Sequence, residues 1–265
     1  MNGALQIPLA RLATGYVFVA IVLAVAARWK VGRTWEIVIA TVRMTVQLVA
    51  VGFLLEFVFD RPSPWITLLI LLVMEAFAIR NVFQRVKVPT PPRLRPVIIG
   101  SLALGTISVV FFFLLIIIAL DPWYEPRYFI PITGMLVGNS MTGIALGYDR
   151  LTSGIRSNAQ RIETALMLGA TASSAAKRYA HEAFTAAIMP TINSMIGMGI
   201  VFLPGMMTGQ ILSGSSPVLA IRYQIAIMLG ILGSVTITVF LMTSIGYRTF
   251  FTKELTLVDE ATRPD

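Results

Sequence analysis

The chain has 265 residues, of which 56% are hydrophobic and 13% are charged, and its mean hydropathy is +0.80. Soluble domains carry about 25% charged residues, so this composition excludes an ordinary water-soluble protein and indicates a membrane protein. The formal charge of +8 is divided among short loops and forms no single basic patch, which argues against a nucleic-acid-binding protein. With no cysteine in the chain, disulfides and thiolate metal sites are excluded.

Seven apolar runs approach the roughly 20 residues that an α-helix needs to cross a bilayer. They cover residues 8–27, 35–57, 65–83, 97–120, 129–147, 184–203 and 218–246. The sequence therefore predicts an all-α, polytopic membrane protein of about seven spans. We expect one transmembrane domain over residues 1–265, in the plasma or inner membrane of the cell.

Basic residues are distributed unequally between alternate loops. Sixteen of the 21 lysines and arginines lie in one set of loops, namely Arg28, Lys30, Arg33, Arg80, Arg85, Lys87, Arg93, Arg95, Arg150, Arg156, Arg161, Lys177, Arg178, Arg248, Lys253 and Arg263. Short cytoplasmic loops retain positive charge, so the C-terminus is predicted in the cytoplasm and the N-terminus outside. The alternative, a signal peptide cleaved after the first run, would leave three of these residues on the wrong side of the membrane.

Ionisable side chains interrupt the second and third runs. Arg43 and Glu75 lie about 12 and 13 Å from the inner ends of their helices, at roughly 1.5 Å per residue, so an ion pair could join them. Glu36, Arg43 and Gln47 recur at helical spacing and form one polar stripe. Charges at membrane depth are costly, so these residues mark either a transport pathway or a structural pair. The sequence leaves both interpretations open.

The fifth and sixth runs share an Asn-Ser-Met motif, at Asn139 and at Asn193. The fifth also carries Gly134, Gly138 and Thr142 at intervals of four, a spacing that lets membrane helices approach closely. We therefore predict helix packing at these three small residues and a polar lining at the two asparagines.

The connection between these runs, residues 148–182, is the longest in the chain and has high helix propensity. Within it, Glu163-Thr164-Ala165 followed by Gly169 has the form of the loop that many ABC permeases present to their ATPase. The candidate coupling residues are therefore Arg161, Glu163, Thr164, Ala165 and Gly169. None of the four lysines follows a glycine, which excludes a P-loop, so ATP would have to be bound by a partner subunit. The alternative is an ordinary amphipathic surface helix.

Beyond the sixth run, residues 203–214 contain several helix-breaking residues and include Met207 and Gln210. Irregular backbone at membrane depth is tolerated only inside protein or along a cavity, so a gate or re-entrant segment competes with a plain outer loop. The methionines of this region could bind a soft ion such as Cu(I) or simply fill the core, and the metal ligands are therefore left unassigned. His181, the sole histidine, is interpreted as a surface or partner-contact residue.

The chain resembles the FetB family of iron-export ABC permeases, which includes plant aluminium-tolerance permeases. The resemblance covers nearly the whole chain. It is carried by the segments Arg43 to Gly52, Gly134 to Met141, Glu163 to Gly169, Pro190 to Met195 and Leu203 to Gln224. Thr164 departs from the general ABC loop, which has Ala at that position.

The resemblance implies a permease subunit, not an enzyme, that pairs with a separate ABC ATPase, as two permeases with two ATPases, and exports Fe²⁺ or a related cation. Family members are also linked to oxidative-stress resistance and, in plants, to a nucleotide sugar. The predicted pathway residues are Glu36, Arg43, Gln47, Glu75, Asn139, Asn193, Met207 and Gln210. The competing hypotheses are a permease for a nucleotide sugar or other small solute and an ATP-independent channel. An intramembrane enzyme is less well supported, because no His pair, Asp pair or Ser-Lys arrangement at membrane depth supplies general acid-base chemistry.

Overall fold

The computed structural model of the chain describes residues 7–30, 32, 34–85, 91–252 and 256–258, without the side chain of Arg85. Four of the basic residues behind the predicted orientation, Arg33, Lys87, Lys253 and Arg263, lie outside the described residues. The helices are α1 (Leu9–Thr14), α2 (Val17–Arg28), α3 (Thr34–Asp60), α4 (Pro64–Arg85), α5 (Leu94–Phe112), α6 (Pro126–Ser157), α7 (Ala159–Met167), α8 (Ala172–Gly197), α9 (Gly205–Leu212) and α10 (Pro217–Gly246). A π-helical turn, Phe113–Ile117, extends α5, and a 3-10 turn, Tyr247–Phe250, extends α10.

Six stretches of the described chain are long and apolar enough to cross a bilayer. They are Leu9–Arg28, Thr34–Asp60, Pro64–Gln84, Leu94–Ile117, Pro126–Ser157 and Pro217–Phe250. The prediction of an all-α, multi-pass membrane protein is therefore confirmed. The remaining predicted run, 184–203, lies on α8 and on the turn that follows it.

Helix α8 differs from the other long helices in composition. Its 26 residues extend about 39 Å at 1.5 Å per residue, which is enough to cross a bilayer. Its first half is the polar, alanine-rich part of the predicted connector, so the helix as a whole is not apolar enough to count among the six. Helix α8 packs along α6 and α10, and its buried face consists mainly of small residues, Ala176, Ala180, Ala183 and Ala187.

The predicted connector, 148–182, is not a single surface helix. Helix α6 continues to Ser157, α7 follows after one residue, and α8 begins at Ala172. Gly169 ends α7 with a φ of +89°, a left-handed conformation that glycine adopts without steric cost. The N–H of Ala170 donates to the carbonyl of Ala165 over 3.0 Å, closing the turn as in a Schellman motif. Thr171 then caps α8 by accepting a hydrogen bond from the N–H of Ser174.

The core lies between α4, α5, α6, α8 and α10, where α10 packs against both α5 and α6. The largest fully buried side chains of α6 include Leu136, Ile144 and Tyr148. In contrast, α3 contributes a single buried residue, Val58, and contacts mainly α2. Helices α2 and α3 therefore lie at the side of the bundle.

Close helix contacts occur at glycines other than the predicted ones. A Cβ at Gly143 would lie 2.9 Å from Cγ1 of Val235, and one at Gly147 would lie 3.0 Å from Cε of Met242. A Cβ at Gly138 would meet no atom within 4 Å, and one at Gly134 would meet only the end of Met74. Gly134 and Gly138 therefore make no close backbone contact within this chain, and the predicted packing at Gly134, Gly138 and Thr142 stays a prediction. The face of α6 that turns towards α10 carries the close contacts instead, because that face belongs to the densely packed core.

Candidate functional site

A cavity of about 260 Å³ lies between α6, α8, α9 and α10. Its lining brings together the three motifs that the sequence presents far apart, after Pro131, after Pro190 and after Leu203. The polar and thioether side chains of the lining are Met135, Asn139, Thr142, Thr191, Ser194, Met198, Met206, Gln224 and Met228. This cavity is the candidate site for a transported solute.

Helical spacing explains why these side chains converge. Met135, Asn139 and Thr142 recur at intervals of four and three on α6, so they share one face of that helix. Thr191, Ser194 and Met198 follow the same rule on α8 and at its C-terminal cap, and Gln224 and Met228 follow it on α10. Each helix thus presents a short polar stripe to the cavity.

Gln224 is the most buried amide of the cavity, with 6% of its surface exposed. Its Nε2 donates a weak hydrogen bond to Sδ of Met198 over 3.9 Å, while its Oε1 has no hydrogen-bond partner. Buried polar atoms are nearly always paired, so an unpaired oxygen beside a cavity is available to a bound solute or water.

The other polar groups of the cavity also offer oxygen acceptors. Asn139 uses its Nδ2 to donate to the carbonyl of Met135 over 2.7 Å, and the hydroxyls of Thr142 and Ser194 donate to Gly138 and Pro190 of their own helices. These bonds occupy both hydroxyl donors and one of the two N–H donors of Asn139, and they leave lone pairs on all three side-chain oxygens. With the thioethers of Met135, Met198, Met206 and Met228, the lining is neutral and rich in electron-pair donors. Such a surface suits a partly dehydrated cation and attracts no anion by charge.

The chain between α8 and α10 closes one side of the cavity. Gly199 takes a φ of +82°, and its N–H donates to the carbonyl of Phe202 over 3.0 Å, which folds the chain back on itself. Phe202, Pro204 and Met206 then line the cavity, and α9 packs on α10. The helix-breaking residues of this segment therefore form a cover over the candidate site.

The predicted pathway residues of this region divide into two groups. Asn139 lines the cavity, whereas Asn193, Met207 and Gln210 do not. Asn193 is exposed, and Met207 is buried beside the lining residue Met206. Gln210 is half-buried, and its Oε1 has no hydrogen-bond partner.

Sequence reasoning did not assign four polar residues to the lining, namely Thr142, Thr191, Ser194 and Gln224. Thr142 was predicted only as a helix-packing residue. Gln224 could have been found, because it is an amide inside the apolar run 218–246. Thr191 and Ser194 carry a weaker signal, since hydroxyls often bond to their own helix in a membrane and so cost little there.

The predicted ion pair between Arg43 and Glu75 is wrong. The Thr106 hydroxyl of α5 donates to Oε1 of Glu75, and Oε2 of that buried carboxyl has no hydrogen-bond partner. The guanidinium of Arg43 lies 5.2 Å from the ring centre of Phe77, within the range of a cation-π contact. Counting residues placed both side chains at a similar depth. They point in different directions around their helices, however, and do not meet.

The polar stripe of α3 does not reach the candidate site. Glu36 and Gln47 are exposed, and Gln47 lines a separate apolar cavity of about 460 Å³ between α3, α4 and α6. Gly134 and Gly138 line the opposite side of that cavity. The pathway residues predicted on α3 and α4 therefore lie apart from Asn139 and the cavity that it lines.

The predicted coupling residues lie on α7 and the turn that ends it. Arg161 and Thr164 are exposed, and Glu163 and Ala165 are half-buried. The adjoining Met167 and Leu168 are 87% and 84% exposed, immediately before Gly169. Two large apolar side chains at the end of a short helix form an apolar tip, which the sequence analysis did not single out.

The carboxylates and the single histidine are scattered through the described part of the chain. No group of three or more His, Cys, Asp or Glu side chains could hold a metal ion within those residues. Any cation that the 260 Å³ cavity binds would therefore contact neutral ligands, which bind more weakly than charged ones.

The model of an uncharacterised protein family, UPF0014, matches residues 9–251 of the chain. The chain is 38% identical to the UPF0014 membrane protein slr1647 of Synechocystis over 85% of its own length and 86% of the relative. It is 35% identical to Protein ALUMINUM SENSITIVE 3 of Arabidopsis thaliana, over 82% of this chain and 78% of that one. It is 30% identical to the "Probable iron export permease protein FetB" of Escherichia coli, over 93% of each chain. No solved structure matches the chain significantly.

Proposed function

Because the chain belongs to the UPF0014 family and is a multi-pass membrane protein, we propose that it is the permease subunit of an ATP-driven exporter of Fe²⁺ or a related metal cation. The observation that carries this proposal is the neutral cavity between α6, α8, α9 and α10. The name of the Escherichia coli relative supports iron as the first cargo to test.

The chemistry of the lining favours a cation over an anionic solute. Amide and hydroxyl oxygens and thioethers all donate electron pairs to a metal ion, and no Lys, Arg or His is among the residues that line the cavity. A phosphate-bearing solute such as a nucleotide sugar would be bound best by cationic donors at its phosphates, and none of the described residues that line the cavity is cationic. Binding through neutral groups is also weak enough for release, as transport requires.

Cu(I) is the second candidate cargo. Four methionines line the cavity, and thioethers prefer soft monovalent copper to the harder Fe²⁺. Transport measured with both ions distinguishes the two, because a lining selected for Cu(I) should discriminate against Fe²⁺ under reducing conditions.

ATP hydrolysis is assigned to a separate subunit, since the chain has no P-loop. The apolar tip, Met167 and Leu168, is the best-placed surface of α7 for that ATPase, with Glu163 and Arg161 beside it. Exposed apolar side chains that a partner covers contribute favourably to binding. The assembly is proposed to contain two permeases and two ATPases, with α7 on the cytoplasmic side.

The test is transport in sealed vesicles that contain the chain and its candidate ATPase. We expect ATP-dependent accumulation of Fe²⁺ or Cu(I) in inside-out vesicles and none of a nucleotide sugar. Gln224→Leu, which removes the unpaired oxygen and keeps the side-chain size, should reduce transport at least tenfold at equal protein abundance. The channel hypothesis predicts the opposite pattern, namely cation flux through the isolated chain without ATP.

A further inference from the structure

A second cavity, of about 520 Å³, lies between the first half of α8 and the last turns of α10. It is separate from the proposed transport cavity, whose α8 residues begin at Ala187 and whose α10 residues end at Ile231. The side chains that characterise it are Ser173, Lys177, His181, Phe184, Phe240 and Arg248. None of these residues has a role in the proposed transport cycle.

The charge of this cavity is of one sign. Lys177, His181 and Arg248 line it, and within the described part of the chain none of the lining residues is acidic. The nearest acidic side chain on α8, Glu182, bonds to Arg178 at 2.8 Å and lies outside the lining. Basic groups that converge without an acidic partner repel one another, and an anion bound between them relieves that repulsion.

Hydroxyl groups stand beside the basic residues of this cavity. The Tyr247 hydroxyl donates to Oγ of Ser173 over 3.3 Å, and Nε of Arg248 donates to the Tyr247 hydroxyl over 3.3 Å. These bonds connect the end of α10 to the first turn of α8 and hold the guanidinium at the cavity. Thr243 and Ser244 also line the cavity, but the Thr243 hydroxyl donates to the carbonyl of Val239 over 2.9 Å, so Ser173 and Ser244 are the hydroxyls that can donate to a ligand. Phosphate oxygens accept from arginine, lysine and hydroxyl donors of this kind.

The opposite wall of the cavity is aromatic. Phe184 of α8 and Phe240 of α10 meet edge to face, with ring centres 6.4 Å apart. Phe240 is 56% exposed, and Ile237, about one turn before it on α10, is 42% exposed. The aromatic wall therefore continues onto the outer surface of a membrane-spanning helix. The cavity therefore joins a basic end to an apolar surface, as a phospholipid joins a charged headgroup to acyl chains.

We propose that the cavity between Lys177, His181 and Arg248 binds the phosphate of an anionic ligand, and that an acidic phospholipid is its source. The apolar wall at Phe240 favours a lipid over a free phosphate, because only a lipid has chains to bury there. Such a lipid would join α8 to α10 at the end of the bundle where α7 ends and α8 begins.

The experiment measures binding by thermal stabilisation of the purified full chain in detergent. The probes are short-chain phosphatidylglycerol, short-chain phosphatidylcholine as the zwitterionic lipid, and inorganic phosphate. We expect phosphatidylglycerol to raise Tm at concentrations at which phosphatidylcholine does not. Lys177→Gln and Arg248→Gln should each raise the apparent Kd for phosphatidylglycerol about fivefold. This corresponds to about 1 kcal/mol for each basic residue near a membrane surface.

Arg178→Gln is the matched control, since it removes one charge from the same helix one residue away but outside the cavity. It should bind phosphatidylglycerol as the unmodified chain does. Equal weakening by Arg178→Gln, or no weakening by Lys177→Gln, would overturn the proposal. Stabilisation by inorganic phosphate that Lys177→Gln abolishes would support the phosphate site and identify a soluble ligand as its source. Lys177 is exposed on α8, so its variant should fold and remains informative if Arg248→Gln does not fold.

Discussion

The hydroxyls of Ser140 on α6 and Ser234 on α10 lie 2.8 Å apart, and both side chains are completely buried. This hydrogen bond joins the two central helices one residue from the cavity-lining Asn139. Cross-helix hydrogen bonds in membranes contribute about 0.6 kcal/mol on average, because the separated helices find other partners.

We therefore expect Ser140→Ala and Ser234→Ala to reduce the free energy of unfolding by about 1 kcal/mol each, with a coupling energy of about 0.6 kcal/mol. A double-mutant cycle, with unfolding free energies measured in mixed detergent micelles, gives the coupling energy between the two hydroxyls. Strict additivity of the two substitutions would show that the hydroxyls do not interact.

Gly105 of α5 lies against the backbone of α10. A Cβ at this position would stand 3.1 Å from Cα of Thr238, whereas a Cβ at Gly100 of the same helix would meet nothing within 4 Å. Gly105→Ala should thus reduce the free energy of unfolding by about 1–3 kcal/mol, as overpacking does. Gly100→Ala should be neutral or stabilising, since alanine favours a helix over glycine by about 1 kcal/mol. Equal stability of the two variants would contradict the close contact of α5 and α10.

The two Asn-Ser-Met motifs differ in their position relative to the candidate transport cavity. Asn139 lines the candidate transport cavity, and Asn193 is exposed outside it. Asn139→Ala should reduce cation transport at least tenfold, and Asn193→Ala, with the same change of side chain, should leave transport within twofold. Transport in vesicles, normalised to protein abundance, measures both. A loss of transport in both variants to the same extent would place the pathway elsewhere.

The apolar tip on α7 provides a test of the ATPase contact. Replacing Met167 and Leu168 by serine should reduce co-purification of the ATPase about tenfold or more, because both side chains are exposed in the chain alone and would be buried by a partner. Leu203→Ser is the control, since Leu203 is 53% exposed at the other end of α8. Retention of the ATPase by the double variant would remove α7 from the interface.

Glu75 is expected to stabilise the bundle and to have little effect on transport. Its carboxyl contacts Thr106 of α5, and it is not among the residues that line the transport cavity. Glu75→Gln keeps the size and the hydrogen bond to Thr106, so transport and protein abundance should both remain within twofold of the unmodified chain. Glu75→Leu removes the hydrogen-bond partner and should lower abundance. Abundant but inactive Glu75→Gln protein would return Glu75 to the pathway.

Depth along a helix could be predicted from the sequence better than direction around it. Arg43 and Glu75 were placed at similar depths by counting residues, yet each contacts a different neighbour, Phe77 and Thr106. Asn139 lines the candidate cavity, while Asn193 of the identical motif is exposed outside it. The rotation of a helix about its axis depends on contacts with helices that are distant in the sequence, and those contacts leave no local pattern.

The sequence by itself determined that this is an all-α membrane protein, and six of the seven predicted spans lie close to the helices that are long and apolar enough to cross a bilayer. Each spanning helix satisfies its own backbone hydrogen bonds and needs only a sufficient length of apolar residues, so local sequence is enough. Tertiary structure alone decided that α8 packs in the bundle despite its polar first half, that Gly143 and Gly147 carry the close contacts, and that Gln224 meets Met198 at a cavity. Those outcomes depend on the side chains that each helix meets on its neighbours.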